Sequence, residues 1–174
     1  TPVLHDPDKA LTLCDSRAIC EYLEETVDKN AMIGGTAAGR AEIRRLTALF
    51  DENFYEDVTA PMLLERMKKR LILRQAPDSK ALREAMKLAH EHLYYIDYLI
   101  DRRPWLAGAT MSLADLAAAA QISVADYLGG IDWSGHEQSR GWYSVFKSRP
   151  SFRPLLSERM DVIQPPEHYG DVDG

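Results

Sequence analysis

An acidic residue followed by a serine, Asp15-Ser16, stands directly ahead of a helical pattern, and Pro2 heads the short apolar segment Val3-Leu4 upstream of it. A helix start of this kind can hold a small zwitterion. The free backbone N–H groups and the Ser16 hydroxyl take a carboxylate, while Asp15 takes an ammonium. A proline at the head of a strand can be held cis, which turns the neighbouring backbone outward and offers its N–H and C=O to a peptide-like ligand. The plainer alternative is that Asp15 or Ser16 only caps the helix, and the residues alone leave both readings open.

A second group lies near the other end. His168, Tyr169, Asp171 and Asp173 follow Pro165-Pro166 with no helical or strand period. Such a segment is either a solvated end or a docking element, with Tyr169 as a large anchor of low entropy cost and the acids set against a basic partner. The run Arg66, Lys68, Lys69, Arg70 and Arg74 is either a solvated helix face or a dock for an acidic surface. Cys14 and Cys20, separated by five residues, form neither a redox CxxC nor part of a zinc set, and are expected to be reduced, packed thiols. His90 and His92 flank an apolar stripe and read as rim residues rather than metal ligands. No metal site is expected.

The elements that must position these groups are mostly helical. Val3-Leu4 and Ala10 to Cys14 are strand signals on either side of the turn-rich His5 to Lys9, so residues 3 to 14 read as a hairpin. Ala18, Ile19, Tyr22 and Leu23 give a helix that ends near Asp28-Lys29-Asn30. A hairpin and one helix cannot bury their own apolar faces, so partner strands are expected from outside this sequence, which begins without a Met.

Ile43, Leu46, Phe50 and Phe54 predict an amphipathic helix, and Met62 to Leu73 a second, less regular one. After Pro77-Asp78-Ser79, a long helix presents Leu82, Met86, Ala89, Leu93, Ile96 and Ile100. The segment from Leu113 to Leu128 is apolar almost all round, the pattern of a hub helix enclosed by its neighbours on every side. Ser112 and Asp115 ahead of it form a capping box, and Gly129-Gly130 stops it. Trp142 to Phe146 mark a further helix, and the chain from Asp161 reads as an irregular tail.

Composition narrows the function classes. The 174 residues carry 21 Lys and Arg against 27 Asp and Glu, a net charge of −6, which argues against a general nucleic-acid binder. No apolar run approaches the length of a bilayer span, and no leader is visible, so a cytoplasmic protein without membrane insertion is expected.

The run Thr1-Pro2-Val3-Leu4 with Leu13-Cys14-Asp15-Ser16-Arg17-Ala18-Ile19-Cys20-Glu21-Tyr22-Leu23 resembles the glutathione-transferase superfamily: a proline-led strand, an acidic-Ser pair and an A-I-x-x-Y-L helix. Trp105 to Gly108 and Ser112 to Asp115 are similar to the loop and capping box of that superfamily's helical domain. Over the whole chain, the segments Arg45 to Val58, Met67 to Leu71, Ala76 to Arg83, Met111 to Gly129 and Trp142 to Leu156, with the ending from Pro165 to Gly174, resemble the FzlA-type members of alphaproteobacteria, which bind FtsZ.

The resemblance implies a mainly α fold. Residues 1–27 would be the C-terminal part of a thioredoxin-like domain (hairpin plus helix), 28–40 a linker, 41–160 an all-helical domain and 161–174 a tail. It implies Thr1, Pro2, Asp15 and Ser16 as the glutathione contacts, if glutathione is bound at all. The thiol-activating Tyr, Ser or Cys of the superfamily precedes the proline-led strand, so no catalytic residue is expected within this chain. It further implies an FtsZ-binding division protein without strong transferase activity, with Tyr169, Asp171 and Asp173 toward the partner and a homodimer as the working form. A cytosolic transferase acting on electrophiles is the alternative.

Overall fold

The computed structural model describes residues 2–27 and 32–172. The chain opens with a hairpin of β1 (Val3–Asp6) and β2 (Leu11–Cys14), antiparallel, with Val3 opposite Cys14 and Asp6 opposite Leu11. Its turn closes through the Ala10 N–H donating to the Pro7 carbonyl (3.3 Å), and Ala10 adopts a left-handed φ of 48°. Helix α1 (Ser16–Thr26) follows at once. The helix-breaking Asp28-Lys29-Asn30 lies outside the described residues.

Helix α2 begins at Ala37, inside the expected linker, because Thr36 is a good N-cap whose hydroxyl accepts the Gly39 N–H at 3.0 Å. It does not stop between the two expected helices. Right-handed helical backbone runs from α2 (Ala37–Ala48) through a wider π-type stretch (Leu49–Thr59), α3 (Ala60–Met62) and a second π-type stretch (Leu63–Leu73). Pro61 sits within this rod. A proline in a regular α-helix removes a donor and collides with the carbonyl one turn back; the i→i+5 pairing on either side, such as the Ala60 N–H to the Tyr55 carbonyl, gives the room that keeps the rod continuous. Arg74, at φ 52°, ends it, and the Gln75 N–H reaches back to the Lys69 carbonyl at 2.9 Å.

Helix α4 (Ser79–Ile100), capped by Asp78, returns alongside. Its buried stripe is Ala85, Ala89, Leu93, Ile96 and Leu99, so Leu82, Met86 and Ile100 fall at the edge of the expected face rather than at its centre. Then come α5 (Leu113–Tyr127), α6 (Glu137–Lys147), α7 (Arg153–Ser157) and a 3₁₀ turn (Glu167–Gly170). The core forms where the Ile43, Leu46, Phe50, Phe54, Val58 and Met62 stripe of the long rod meets α4 and α5.

Helix α5 corrects one expectation. Ala114, Ala118, Ala119, Ile122 and Ala125 are buried, but Leu116, Ala120 and Val124, one turn apart, are exposed. The hub is therefore enclosed on most of its circumference and open along one apolar flank. The alanines explain the enclosed side, since small residues let the rod approach closely. Gly130 extends that close approach: a Cβ there would stand 2.6 Å from Met62 Cε and 3.1 Å from the Ala125 carbonyl.

Candidate functional site

Two regions emerge. The first is the cleft between the hairpin with α1 and the helical bundle. The β1–β2 register brings Pro2 and Asp15 to the same end of the hairpin. Asp15 takes a φ of 80° and its Oδ1 accepts from the Arg17 N–H (2.9 Å) and the Ala18 N–H (3.1 Å). Asp15 is thus the helix cap, and one carboxylate oxygen is engaged in that role. Ser16 lines a cavity of about 410 Å³ together with Cys20, Thr47, Asp51, Leu113 and Leu116. Thr1 and its bond to Pro2 lie outside the described residues.

Ion pairs hold α1 to the long rod: Arg17 to Glu52 at 2.5 Å, and Arg44 to Glu21 through two hydrogen bonds of 2.7 and 2.9 Å. The Glu21 carboxyl lies below its usual range because of Arg44. Asp51 on the cavity wall goes the other way, pushed up chiefly by burial. Both cysteines are free and, within this chain, exposed: Cys14 is on the open face of the hairpin and Cys20 on the cavity wall. Partial desolvation and the neighbouring Asp51 and Glu24 hold the Cys20 thiol above its ordinary value, so it is a weak nucleophile.

The second region is where the C-terminal segment meets α5 and α6. The expected irregular tail is pinned over its described part. The Tyr127 hydroxyl donates to the Ile163 carbonyl (3.0 Å) and accepts from the Met160 N–H (2.8 Å). Tyr169 is buried, its hydroxyl 3.0 Å from the Ser123 hydroxyl and its ring edge-on to Tyr127. This corrects the expectation that Tyr169 is a partner anchor: its ring faces the bundle because α5 offers an apolar flank and a buried hydroxyl there. Asp171 follows the 3₁₀ turn and is exposed, whereas Asp173 lies outside the described residues. His168 Nε2 pairs with Asp126 Oδ1 at 2.9 Å, and Trp133 Nε1 donates to the same oxygen at 3.1 Å.

The basic run divides. Lys69 turns inward to the buried Glu65 (2.8 Å) and the Arg66 guanidinium comes close to Gly129, while Lys68, Arg70 and Arg74 stay in solvent. His92 pairs with Asp57 (2.9 Å), and His90 belongs to a chain through buried His136 to Asp97, which also accepts from the Ser139 N–H and hydroxyl. That chain caps α6 against α4. Among the described residues no group of three or more His, Cys, Asp or Glu is arranged to hold a metal ion.

Ser112 and Asp115 meet as expected and do more. Asp115 Oδ2 accepts from the Ser112 N–H (2.9 Å) and hydroxyl (2.8 Å), closing the capping box. Oδ1 accepts from the Leu106 N–H (2.9 Å) and from Trp142 Nε1 (3.2 Å), tying the preceding loop and α6 to the same carboxylate. Asp126 was not singled out from the sequence. An acid in an apolar helix about three turns after Asp115, and so on the same face, was the available signal.

No family model matches the chain. FtsZ-localized protein A of Caulobacter vibrioides is 45% identical over 163 residues, covering 94% of this chain and 72% of that protein. The crystal structure of a glutathione S-transferase from Rhodospirillum rubrum F11 superposes with a TM-score of 0.92 at 49% identity, covering 100% of this chain and 78% of that one. FzlA from C. crescentus superposes with a TM-score of 0.91 at 44% identity, covering 99% and 76%. With identity at this level across nearly all of its length, a mainly helical bundle beside a hairpin and helix, and the capping box in place, the chain belongs to the FzlA-type family of glutathione-transferase-like proteins.

Proposed function

We propose that this protein acts in bacterial cell division by binding FtsZ filaments, with little or no transferase activity. The observation that carries the reading is the 45% identity, spread over 94% of the chain, to a protein named for its localisation with FtsZ. The partner surface is the C-terminal end, with the acids Asp171 and Asp173, together with the adjoining helical bundle. The working form is a cytoplasmic homodimer, because two sites on one particle raise the effective concentration for the second contact on a repeating polymer. Among the described residues no helix is long and apolar enough to cross a membrane.

Co-sedimentation tests this. Wild-type protein is expected to pellet with FtsZ polymers and Asp171→Lys to remain largely in the supernatant. Failure of the wild type to pellet at any tested concentration would reject the reading.

The hairpin cleft favours a second reading, a glutathione transferase for electrophiles. Pro2, Asp15 and Ser16 share one end of the hairpin beside a cavity of about 410 Å³. In that reading glutathione docks at these residues and at Thr1. Retention on glutathione-agarose together with turnover of an aromatic electrophile would support it, and absence of both would remove it.

A further inference from the structure

Asp126 is fully enclosed on α5, with one carboxylate oxygen holding His168 and Trp133 and the other, Oδ2, buried without a hydrogen-bond partner. A carboxylate left so incompletely solvated is costly unless positive charge stands close by. Two groups from other elements meet beside it. His168 comes from the C-terminal segment. Lys147, at the end of α6, is itself buried, and its Nζ donates to the His168 carbonyl at 3.2 Å.

Both elements therefore converge on residue 168, one through its side chain and one through its backbone. Lys147 also lies in the field of two acids, Asp126 within the bundle and Asp171 at the chain end. The Asp171 N–H donates to the His168 carbonyl at 3.1 Å, and the Tyr169 N–H to the Pro166 carbonyl at 3.0 Å, so the whole 3₁₀ turn is organised about this point.

We infer that Asp126 is a positioning residue for the partner surface: through His168 and Lys147 it clamps the C-terminal segment onto α5 and α6, and so fixes where Asp171 is presented. This rests on the reading of the chain end as the FtsZ-facing surface. A clamped end binds a polymer without the ordering cost that a loose tail meets on every encounter. The arrangement also explains why a polar contact is placed here, since an apolar pair would bury as much surface but would not set the register of the segment.

The clamp is tested on the full chain with His168→Ala and His168→Gln, because His168 is partly exposed and its loss leaves the core intact. Backbone amide exchange is followed at Met160, Tyr169 and Asp171, with α4 and α5 amides as the internal control. His168→Ala is expected to exchange about tenfold faster at Tyr169 and Asp171 while the control helices are unchanged. His168→Gln, which keeps a side-chain N–H for Asp126, restores most of the protection.

Pelleting with FtsZ polymer is read on the same variants and on Asp171→Lys. Loss of pelleting in His168→Ala with recovery in His168→Gln supports the proposal. Unchanged exchange in His168→Ala overturns the clamp. Full pelleting by His168→Ala when Asp171→Lys has lost it overturns the positioning role and leaves the docking surface standing. If neither variant affects pelleting by a wild type that does pellet, the chain end is not the docking surface.

Discussion

Two carboxylates on one face of α5, Asp115 and Asp126, are both wholly enclosed, yet their surroundings differ. Asp115 meets four donors, two on each oxygen, three of them from the loop and cap just before the helix and one from α6. A carboxylate satisfied in this way acts as a fixed structural joint. Removing it leaves the Leu106 N–H and Trp142 Nε1–H buried without an acceptor. Asp115→Ala is expected to lower unfolding stability by about 3–5 kcal/mol. Ser112→Ala, which loses the hydroxyl but leaves the carboxylate in place, is expected to cost about 1 kcal/mol. Urea denaturation midpoints of the two variants check this, and equal midpoints would show that the carboxylate's extra donors contribute nothing. Asp126 has a bare oxygen instead, and its other oxygen reaches the C-terminal segment through His168, so a joint in one case is a clamp on that segment in the other.

At the scale of elements, α5 is asymmetric: Ala118 faces the long rod in a fully buried position, and Ala120 lies on the open flank beside a cavity of about 440 Å³. Ala118→Leu must displace the rod and is expected to destabilise by about 1–3 kcal/mol, whereas Ala120→Leu has room and should change stability by no more than about 0.5 kcal/mol. Thermal unfolding of the pair distinguishes this from the evenly enclosed helix that composition suggests. The difference shows what was legible in the residues. Period and capping signals located the hairpin, α1, α4, α5 and the capping box, because those features are local. Which side of an all-apolar helix is covered depends on neighbours distant in sequence, and a run of alanines does not encode it. Pro61 makes the same point: a breaker by local rules, it is accommodated by a wider helical pairing that only the full rod reveals. Asp15 and Ser16 were legible as a helix start; that Tyr169 turns inward was not, since its hydroxyl partner Ser123 lies far back in the chain.

For the whole molecule, ion pairs both tie α1 to the bundle and brace the bundle itself, and they make stability depend on pH in a way the individual carboxylates determine. Glu42 lies at the centre of a group inside the bundle, held below the usual carboxylate range first by Arg45 and then by Arg103, against an opposing effect of burial. Its folded form binds a proton less readily than its unfolded form. It therefore contributes stability that is complete above the ordinary glutamate range and is lost as pH falls through its lowered folded value. Glu21, paired with Arg44 across the junction, acts in the same direction. Asp51 has the opposite sign: burial raises its folded value, so the folded protein takes up that proton first and gains stability as pH falls through it. Glu42→Gln is accordingly expected to lower stability at neutral pH, by about 1 kcal/mol given its partial exposure, and to flatten the acid limb between roughly pH 5 and 3. Asp51→Asn should raise stability at neutral pH and steepen the same limb, because the compensating uptake is gone. Chemical denaturation at a series of pH values on the two variants reads both slopes, and a pair of curves parallel to wild type would show that neither carboxylate governs the acid response.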